Sequence, residues 1–376
     1  MNGANSITQY PSECVTDIDA SKKNYDLAVI IPFYNSENFL SRAIKSVLEQ
    51  KNKRTVLILV NDGSTDSSSI IARETTRDRS DVIIAEQVNK GVAAARNAGI
   101  ELAISVGAKY VGFLDSDDAW LKGAFAGIEK AIQTGKDVYE FSYYNANERL
   151  TRGRLVPARE ILINGEINRW GLYFWTYVYK VDIIKRYLIR FPEGIVPHED
   201  EAFRYLFLSM SKTGERFDIP LLAYRSNPIS ITRRKRPDLL TKYKNVINAW
   251  YYVEKELMRL RYQYDAPFGE GDMKACASMR KNYIIEFIEE ALKEGICPKE
   301  LKRVVSDEGW IEILNDESLW VGKKQTIIWS GFTNAPNSLF LKKRIEGLSL
   351  KHLRKFRGLP IVQRIRYPEQ IECAGV

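Results

Sequence analysis

Asp115-Ser116-Asp117-Asp118 directly follows the apolar run Tyr110-Val111-Gly112-Phe113-Leu114. A run of that length without a polar break reads as a buried, parallel strand. Three carboxylates at its C-terminal end repel one another and are costly to bury unpaired. A hard divalent cation, Mg²⁺ or Mn²⁺, takes oxygen ligands and often shares one or two carboxylates with substrate phosphates. The pattern therefore fits Asp115 and Asp117 at a metal–diphosphate site, placed where open α/β sheets bind ligands. The competing reading is an acidic helix cap, with Asp118 capping a helix that starts near Leu121. A second acidic pair, Glu199-Asp200, follows Pro197 and precedes a helical pattern at Ala202, Phe203, Leu206, Phe207 and Met210. Acids in a first helical turn are favoured by the helix dipole, and a carboxylate so placed can also act as a general base.

Both groups need elements to hold them. Residues 27–31 read as a first buried strand, ended by Pro32. Ser36 then stands as the N-cap of a helix over 37–49, whose apolar residues Phe39, Leu40, Ala43, Ile44, Val47 and Leu48 have helical spacing. A second strand over 56–60 stops at Asn61-Asp62-Gly63, and Asp66 caps a helix over 67–75. A third strand over 82–84, a turn at Asn89-Lys90-Gly91 and an Ala-rich helix over 92–105 follow, the last containing Arg96 and Asn97. Strands alternating with helices specify an α/β fold with a mainly parallel sheet. In such a sheet Tyr34-Asn35, Asp62 and Asp115-Asp117 converge on one cleft. The chain has no Gly-x-Gly-x-x-Gly and no Gly-x-x-x-x-Gly-Lys-Ser/Thr, so neither a Rossmann dinucleotide site nor a P-loop is supported.

Four segments in order carry a resemblance: Ile30-Ile31-Pro32-Phe33-Tyr34-Asn35, Val60-Asn61-Asp62-Gly63-Ser64-Thr65-Asp66, Asn89-Lys90-Gly91-Val92-Ala93-Ala94-Ala95-Arg96-Asn97-Ala98-Gly99, and Phe113-Leu114-Asp115-Ser116-Asp117-Asp118. Together they resemble the motifs of the family 2 glycosyltransferases, nucleotide-sugar enzymes of the GT-A fold. The likeness is close over residues 27 to about 120. It implies that Pro32, Tyr34 and Glu37 lie along the base and ribose of the nucleotide. Asp62 accepts from the uracil ring, Arg96 faces the donor near the diphosphate, and Asp115 contacts the ribose with Ser116 beside it. Asp117 binds the Mn²⁺ or Mg²⁺ that bridges the phosphates. Glu199-Asp200 with Phe203 resembles the family's Glu-Asp-x-x-Phe motif, which implies Asp200 as base and Glu199 as a supporting acceptor contact. For Asp62 the bland reading is a turn residue, and for Arg96 a solvated helix residue.

The remainder of the chain divides by composition. Residues 1–24 read as a loose polar extension, 25–236 as the catalytic domain (donor half 25–120, acceptor half 121–236), 237–338 as a helical region and 339–376 as a basic tail. The aromatics between Trp170 and Tyr179 suit either a sugar-stacking platform or core. Arg233-Arg234-Lys235-Arg236 is a solvated run or a loop closing on the diphosphate. The net charge of +8 is matched by the segment from Phe340 to Tyr367, with nine Lys or Arg and one acid. Leu341, Ile345, Leu348 and Phe356 share one face there, so an amphipathic helix on an anionic membrane surface is one reading and a helix packed on the protein the other. Four scattered cysteines and two histidines support neither a disulfide framework nor a histidine-rich metal site. No secretory leader or membrane span is expected, which places the chain in the cytoplasm, at most peripheral to the membrane.

The reading that follows is an inverting, metal-dependent glycosyltransferase that uses a UDP-sugar donor. Its acceptor is a glycan or lipid-linked glycan of a surface polysaccharide. The alternatives are a nucleotidyltransferase, which needs no Glu199-Asp200 base, and a non-catalytic membrane-associated nucleotide-sugar-binding protein. A nucleic-acid partner is disfavoured by the absence of a recognition motif.

Overall fold

The computed structural model of the protein describes residues 24–146, 154–156, 173–225, 238–264 and 270–319. Residues 1–23 of the loose extension, most of the basic stretch 149–159, Trp170, the run 233–236 and the tail 339–376 lie outside the described residues.

Strands β1 (Leu27–Phe33), β2 (Thr55–Asn61), β3 (Val82–Glu86) and β4 (Tyr110–Phe113) pair in parallel in the order β3-β2-β1-β4. Every residue of β1, β2 and β4 is buried, as strands covered by crossover helices must be. Those helices are α1 (Leu40–Leu48), α2 (Ser68–Thr75) and α3 (Val92–Ser105). Gly99 brings α3 close to β1, because a Cβ there would stand 2.5 Å from Ile30 Cγ2.

Pro32 does not end the first strand, as the sequence suggested; β1 continues to Phe33. The reason lies in the ladder. The Ile30 carbonyl accepts from Leu114 N, whereas the Phe33 carbonyl accepts from Asp62 N. The missing N–H of Pro32 therefore faces the β4 side, beyond the last β1–β4 pair at Ile30 and Phe113. A proline is tolerated where no ladder donor is needed.

The second half of the sheet is mixed. It contains β5 (Val138–Ala146), β6 (Arg154–Val156), β7 (Tyr177–Lys180) and β8 (Gly214–Arg225). β7 runs antiparallel to β4 and to β5, β6 antiparallel to β5, and β8 parallel to β5, completing eight strands. Helices α4 (Ala124–Ile132), α5 (Val181–Tyr187) and α6 (Glu199–Met210) belong to this half.

The chain divides into two compact units. Among the described residues, the first holds the sheet and α1 to α6. The second holds Ile195–His198 with α7 (Leu239–Tyr264), α8 (Glu270–Lys293), α9 (Pro298–Asp307) and α10 (Ile311–Asn315). Within the second unit, α7 and α8 pack against each other, and Phe287 meets the rings of Tyr243 and Trp310. No helix among the described residues is long and apolar enough to cross a membrane.

Candidate active site

The loops after β1, β2 and β4 are tied into one floor by short hydrogen bonds. Asn35 N donates to Ser64 Oγ at 3.1 Å, and Asn35 Oδ1 accepts from Thr65 N at 2.8 Å. Glu37 and Asp66 exchange contacts: Glu37 N donates to Asp66 Oδ2, and Ser67 N donates to Glu37 Oε2, both at 3.1 Å. Asp66 Oδ1 also accepts from Ser68 N, which secures the first turn of α2. Ser36 is not the cap of α1. That helix begins at Leu40 behind Phe39, with no side-chain cap. Ser36 instead spends its backbone N–H on Ser68 Oγ, and its hydroxyl lies 2.8 Å from that of Ser116. The need to join three loops has taken the serine that a lone helix would have used as a cap. Arg42, from α1, donates to the Asp117 carbonyl at 2.6 Å. The turn carrying Asp115, Ser116 and Asp117 is thus fixed from two sides. Above this floor Pro32 is buried and Tyr34 is 44% exposed.

Asp62 is 3% exposed and heavily committed. Its Oδ1 accepts from Gln87 Nε2 at 2.7 Å and from Lys90 N at 2.9 Å, and its Oδ2 accepts from Gly91 N at 2.9 Å. Of the roughly four acceptor positions on a carboxylate, the chain fills three. Asp62 therefore sets the Lys90-Gly91 turn that launches α3.

Asp118 does not cap the next helix either. Its N–H closes the acidic turn on the Asp115 carbonyl, its side chain is buried, and α4 starts only at Ala124 after the left-handed Gly123. Asp115, Ser116 and Asp117 remain partly accessible.

Arg96 joins the two acidic groups. It lies in α3 and is 5% exposed. Its Nη2 donates to Asp115 Oδ1 at 3.0 Å and its Nη1 to Glu199 Oε1 at 2.8 Å. The guanidinium rests on the Phe174 ring at 4.2 Å and the Phe191 ring at 5.4 Å. Arg96 is thus neither a solvated helix residue nor an open cation; it links the end of β4 to the start of α6. Burial opposes its charge, but Asp115, Glu199 and Asp200 more than compensate and hold its pKa above the ordinary value. Burial raises the Glu199 carboxyl against the pull of Arg96, and Asp200 pushes it further in the same direction.

The packing beneath explains why these acids stay in register. Phe113, the last residue of β4, packs edge-on against Phe191 and Phe203, and Phe191 stacks on Phe203 at 4.0 Å. Phe113 precedes Asp115 by two positions and Phe203 follows Asp200 by three, so one aromatic cluster sets both carboxylates. Phe174, Trp175, Tyr177 and Tyr179 are buried, which places most of the predicted aromatic platform in the core. Tyr173 is only half-buried and stacks on Trp175 at 4.8 Å.

Several residues in this site were assigned no role from the sequence. Asn97 holds residue 191 through paired bonds, Nδ2 to the Phe191 carbonyl and Oδ1 from the Phe191 N–H, both at 2.9 Å. Gln87, Arg42 and Arg204 were equally silent. Asn97 lies within the third resembling segment, Asn89 to Gly99, and beside Arg96 on an otherwise small and apolar helix face, but neither signal gave it a role.

Among the described residues, no three His, Cys, Asp or Glu side chains gather into a ready-made metal cage. The available donors are nonetheless oxygens on a partly accessible turn, with Arg96 already engaging one oxygen of Asp115. That set fits a hard cation that takes one or two protein carboxylates and completes its shell with water and phosphate oxygens.

Residues 28–187 match the family described as glycosyl transferase family 2. The chain is 30% identical over 221 residues to a Bacillus subtilis protein named uncharacterized glycosyltransferase EpsJ, covering 55% of this chain and 62% of that protein. It is 30% identical over 199 residues to the minor teichoic acid biosynthesis protein GgaB of Bacillus subtilis, covering 50% of this chain and 22% of that one. The chain thus spans about three fifths of the first relative and about a fifth of the second. Among solved structures, S. aureus TarS 1-349 in complex with UDP-GlcNAc is similar at a TM-score of 0.53 and 19% identity, over 86% of this chain and 83% of that one. At that identity the likeness is one of fold.

Proposed function

We propose, from the match of residues 28–187 to glycosyl transferase family 2, that the chain transfers a sugar from a nucleotide donor to an acceptor hydroxyl with inversion. The single observation that best supports this is the Arg96 link, which ties the Asp115 turn to the Glu199-Asp200 helix start through two bonds. Donor and acceptor groups of a transferase must be held in one frame, because misplacement of reacting atoms is costly in rate.

In this reading the nucleotide lies on the floor formed by Pro32, Tyr34, Glu37 and the Asp62 turn. Asp115 meets the ribose, with Ser116 alongside it. Asp117 would hold Mn²⁺ or Mg²⁺, which when bound supplies charge neutralisation for the departing diphosphate. The acceptor oxygen attacks the anomeric carbon and passes its proton to Asp200, while the glycosidic electron pair leaves on the β-phosphate oxygen. Glu199, tied to Arg96, braces the acceptor side. UDP is the favoured carrier, since TarS, of the same fold, was captured with UDP-GlcNAc. The acceptor in this reading is a surface polysaccharide, free or lipid-linked, and the naming of GgaB as a minor teichoic acid biosynthesis protein supports it. The basic tail then offers a contact with an anionic membrane face.

The test is sugar-nucleotide turnover across UDP-, GDP- and CMP-sugars with Mn²⁺, for the native chain and Asp200→Asn. One donor class should be consumed, and Asp200→Asn should bind it as well as the native chain while losing about 10²–10⁴-fold in turnover. Equal turnover by Asp200→Asn would contradict the role given to this residue.

A further inference from the structure

Arg204 is the buried charge that the scheme above leaves unused. It is 8% exposed in the middle of α6. Its Nε is buried without a hydrogen-bond partner among the described residues. Arg96 likewise leaves its Nε unpartnered but commits both Nη atoms, to Asp115 and Glu199, and Arg216 is committed to Glu140, through Nε at 2.6 Å and also through Nη2. A guanidinium held inside a protein with an N–H unspent is costly, and such a group calls for an explanation.

Its surroundings supply one. Asp200 precedes Arg204 by four residues on the same helix, a spacing that places both on one face with the acid toward the N-terminus, the favourable order. Burial works against the Arg204 charge, but Tyr177, Glu201, Tyr179 and Asp200 sustain it. Glu140 also feels Arg204, although Arg216 is its dominant partner. Asp200 is faced by Arg96 from α3, by Tyr179 from β7, and by Glu199 and Arg204 from its own helix. Two buried cations therefore act on it electrostatically. Arg96 donates from both Nη atoms to two other acids, whereas the Nε of Arg204 is unspent.

We propose that Arg204 is a positioning residue for Asp200, an unspent internal counter-charge that holds the Asp200 carboxylate in place for proton transfer from the acceptor. This rests on the reading of Asp200 as the base.

The test is a double-mutant cycle on turnover of the UDP-sugar that the native chain consumes, with water as acceptor, using Arg204→Met, Asp200→Asn and the double variant. Arg204→Met should lower kcat by about tenfold to hundredfold with donor KM changed by less than about threefold, since a lost buried charge acts on the base and not on the donor floor. Arg204→Lys should recover most of the loss. The double variant should be no slower than Asp200→Asn alone, because residues that act as a unit are non-additive. Losses that multiply in the double variant, or a kcat unchanged in Arg204→Met, overturn the assignment. If methionine unfolds the chain, Arg204→Gln takes its place. Unfolding by both neutral residues also overturns the assignment, because the charge would then serve the fold. A native chain that consumes no sugar nucleotide is a different result, and it counts against the transferase reading itself.

Discussion

Replacing Arg96 by methionine should separate the two acidic groups in a measurable way. The substitution keeps the apolar stem over Phe174 and Phe191 but removes two charge-assisted bonds, of 2.8 and 3.0 Å. Each such bond contributes roughly 1.5–3 kcal/mol, and the contact with Phe174 up to about 2 kcal/mol more. The half directed at Asp115 counts for less, since that carboxylate is partly exposed and screened. Against this stands the relief of no longer burying a guanidinium, so the net loss should be about 3–5 kcal/mol, the usual consequence of stranding one member of a buried pair. The loss depends on pH with a definite sign. Burial already holds Glu199 above its ordinary value of 4.5, and Arg96 is what pulls it back. Without Arg96 the folded state binds the Glu199 proton still more tightly than the unfolded state does. The stranded carboxyl is then tolerated at low pH and penalised as pH rises. Urea unfolding followed by tryptophan fluorescence at pH 5 and pH 8 measures this. The loss should be larger at pH 8, and Glu199→Gln in the Arg96→Met background should recover most of it. A loss below about 1 kcal/mol at pH 8, or one that is equal at both pH values and untouched by Glu199→Gln, would refute the reasoning.

Three further outcomes are expected. Burial pushes the Glu140 carboxyl up to about 7 from 4.5, against Arg216 and Arg204. The folded state therefore holds this proton more tightly, and stability should fall by roughly 3 kcal/mol as pH rises between those values. Glu140→Gln should flatten that slope in urea midpoints taken across the range. Asp62→Asn turns one of two acceptor oxygens toward donors that it cannot serve, and should cost about 2 kcal/mol of stability in the same denaturation assay. Gly99→Ala gains helix propensity of about 1 kcal/mol but drives a methyl into Ile30. A net loss of about 1–2 kcal/mol should appear as a lower unfolding midpoint.

The first half of the sheet was legible because its signals are local. Unbroken apolar runs gave β1 to β4 within a few residues, and the helix over 92–105 coincides with α3. The errors came where tertiary demands overrode local chemistry. Ser36 and Asp118 have the types of helix caps, yet the convergence of three loops recruits Ser36 and Asp118 is buried beneath the acidic turn. Pro32 reads as a strand end until the ladder shows that no donor is needed there. The second half of the sheet was harder. Its strands pair out of chain order, β7 between β4 and β5, and β8 on β5 with register shifts, and alternation along one segment cannot reveal its neighbour. The Arg96 link spans 103 positions to Glu199, so the spacing of residues could suggest its two ends but not their contact.

The most direct test of the central claim is calorimetric titration of a UDP-sugar into the native chain and into Asp117→Ala, each with Mn²⁺ and with EDTA. The account predicts binding by the native chain with Mn²⁺ that weakens by at least about tenfold on chelation and to a similar extent in Asp117→Ala. Equal binding by both proteins, indifferent to the metal, would contradict the role given to the Asp115–Asp117 turn. No binding of any sugar nucleotide would contradict the account as a whole.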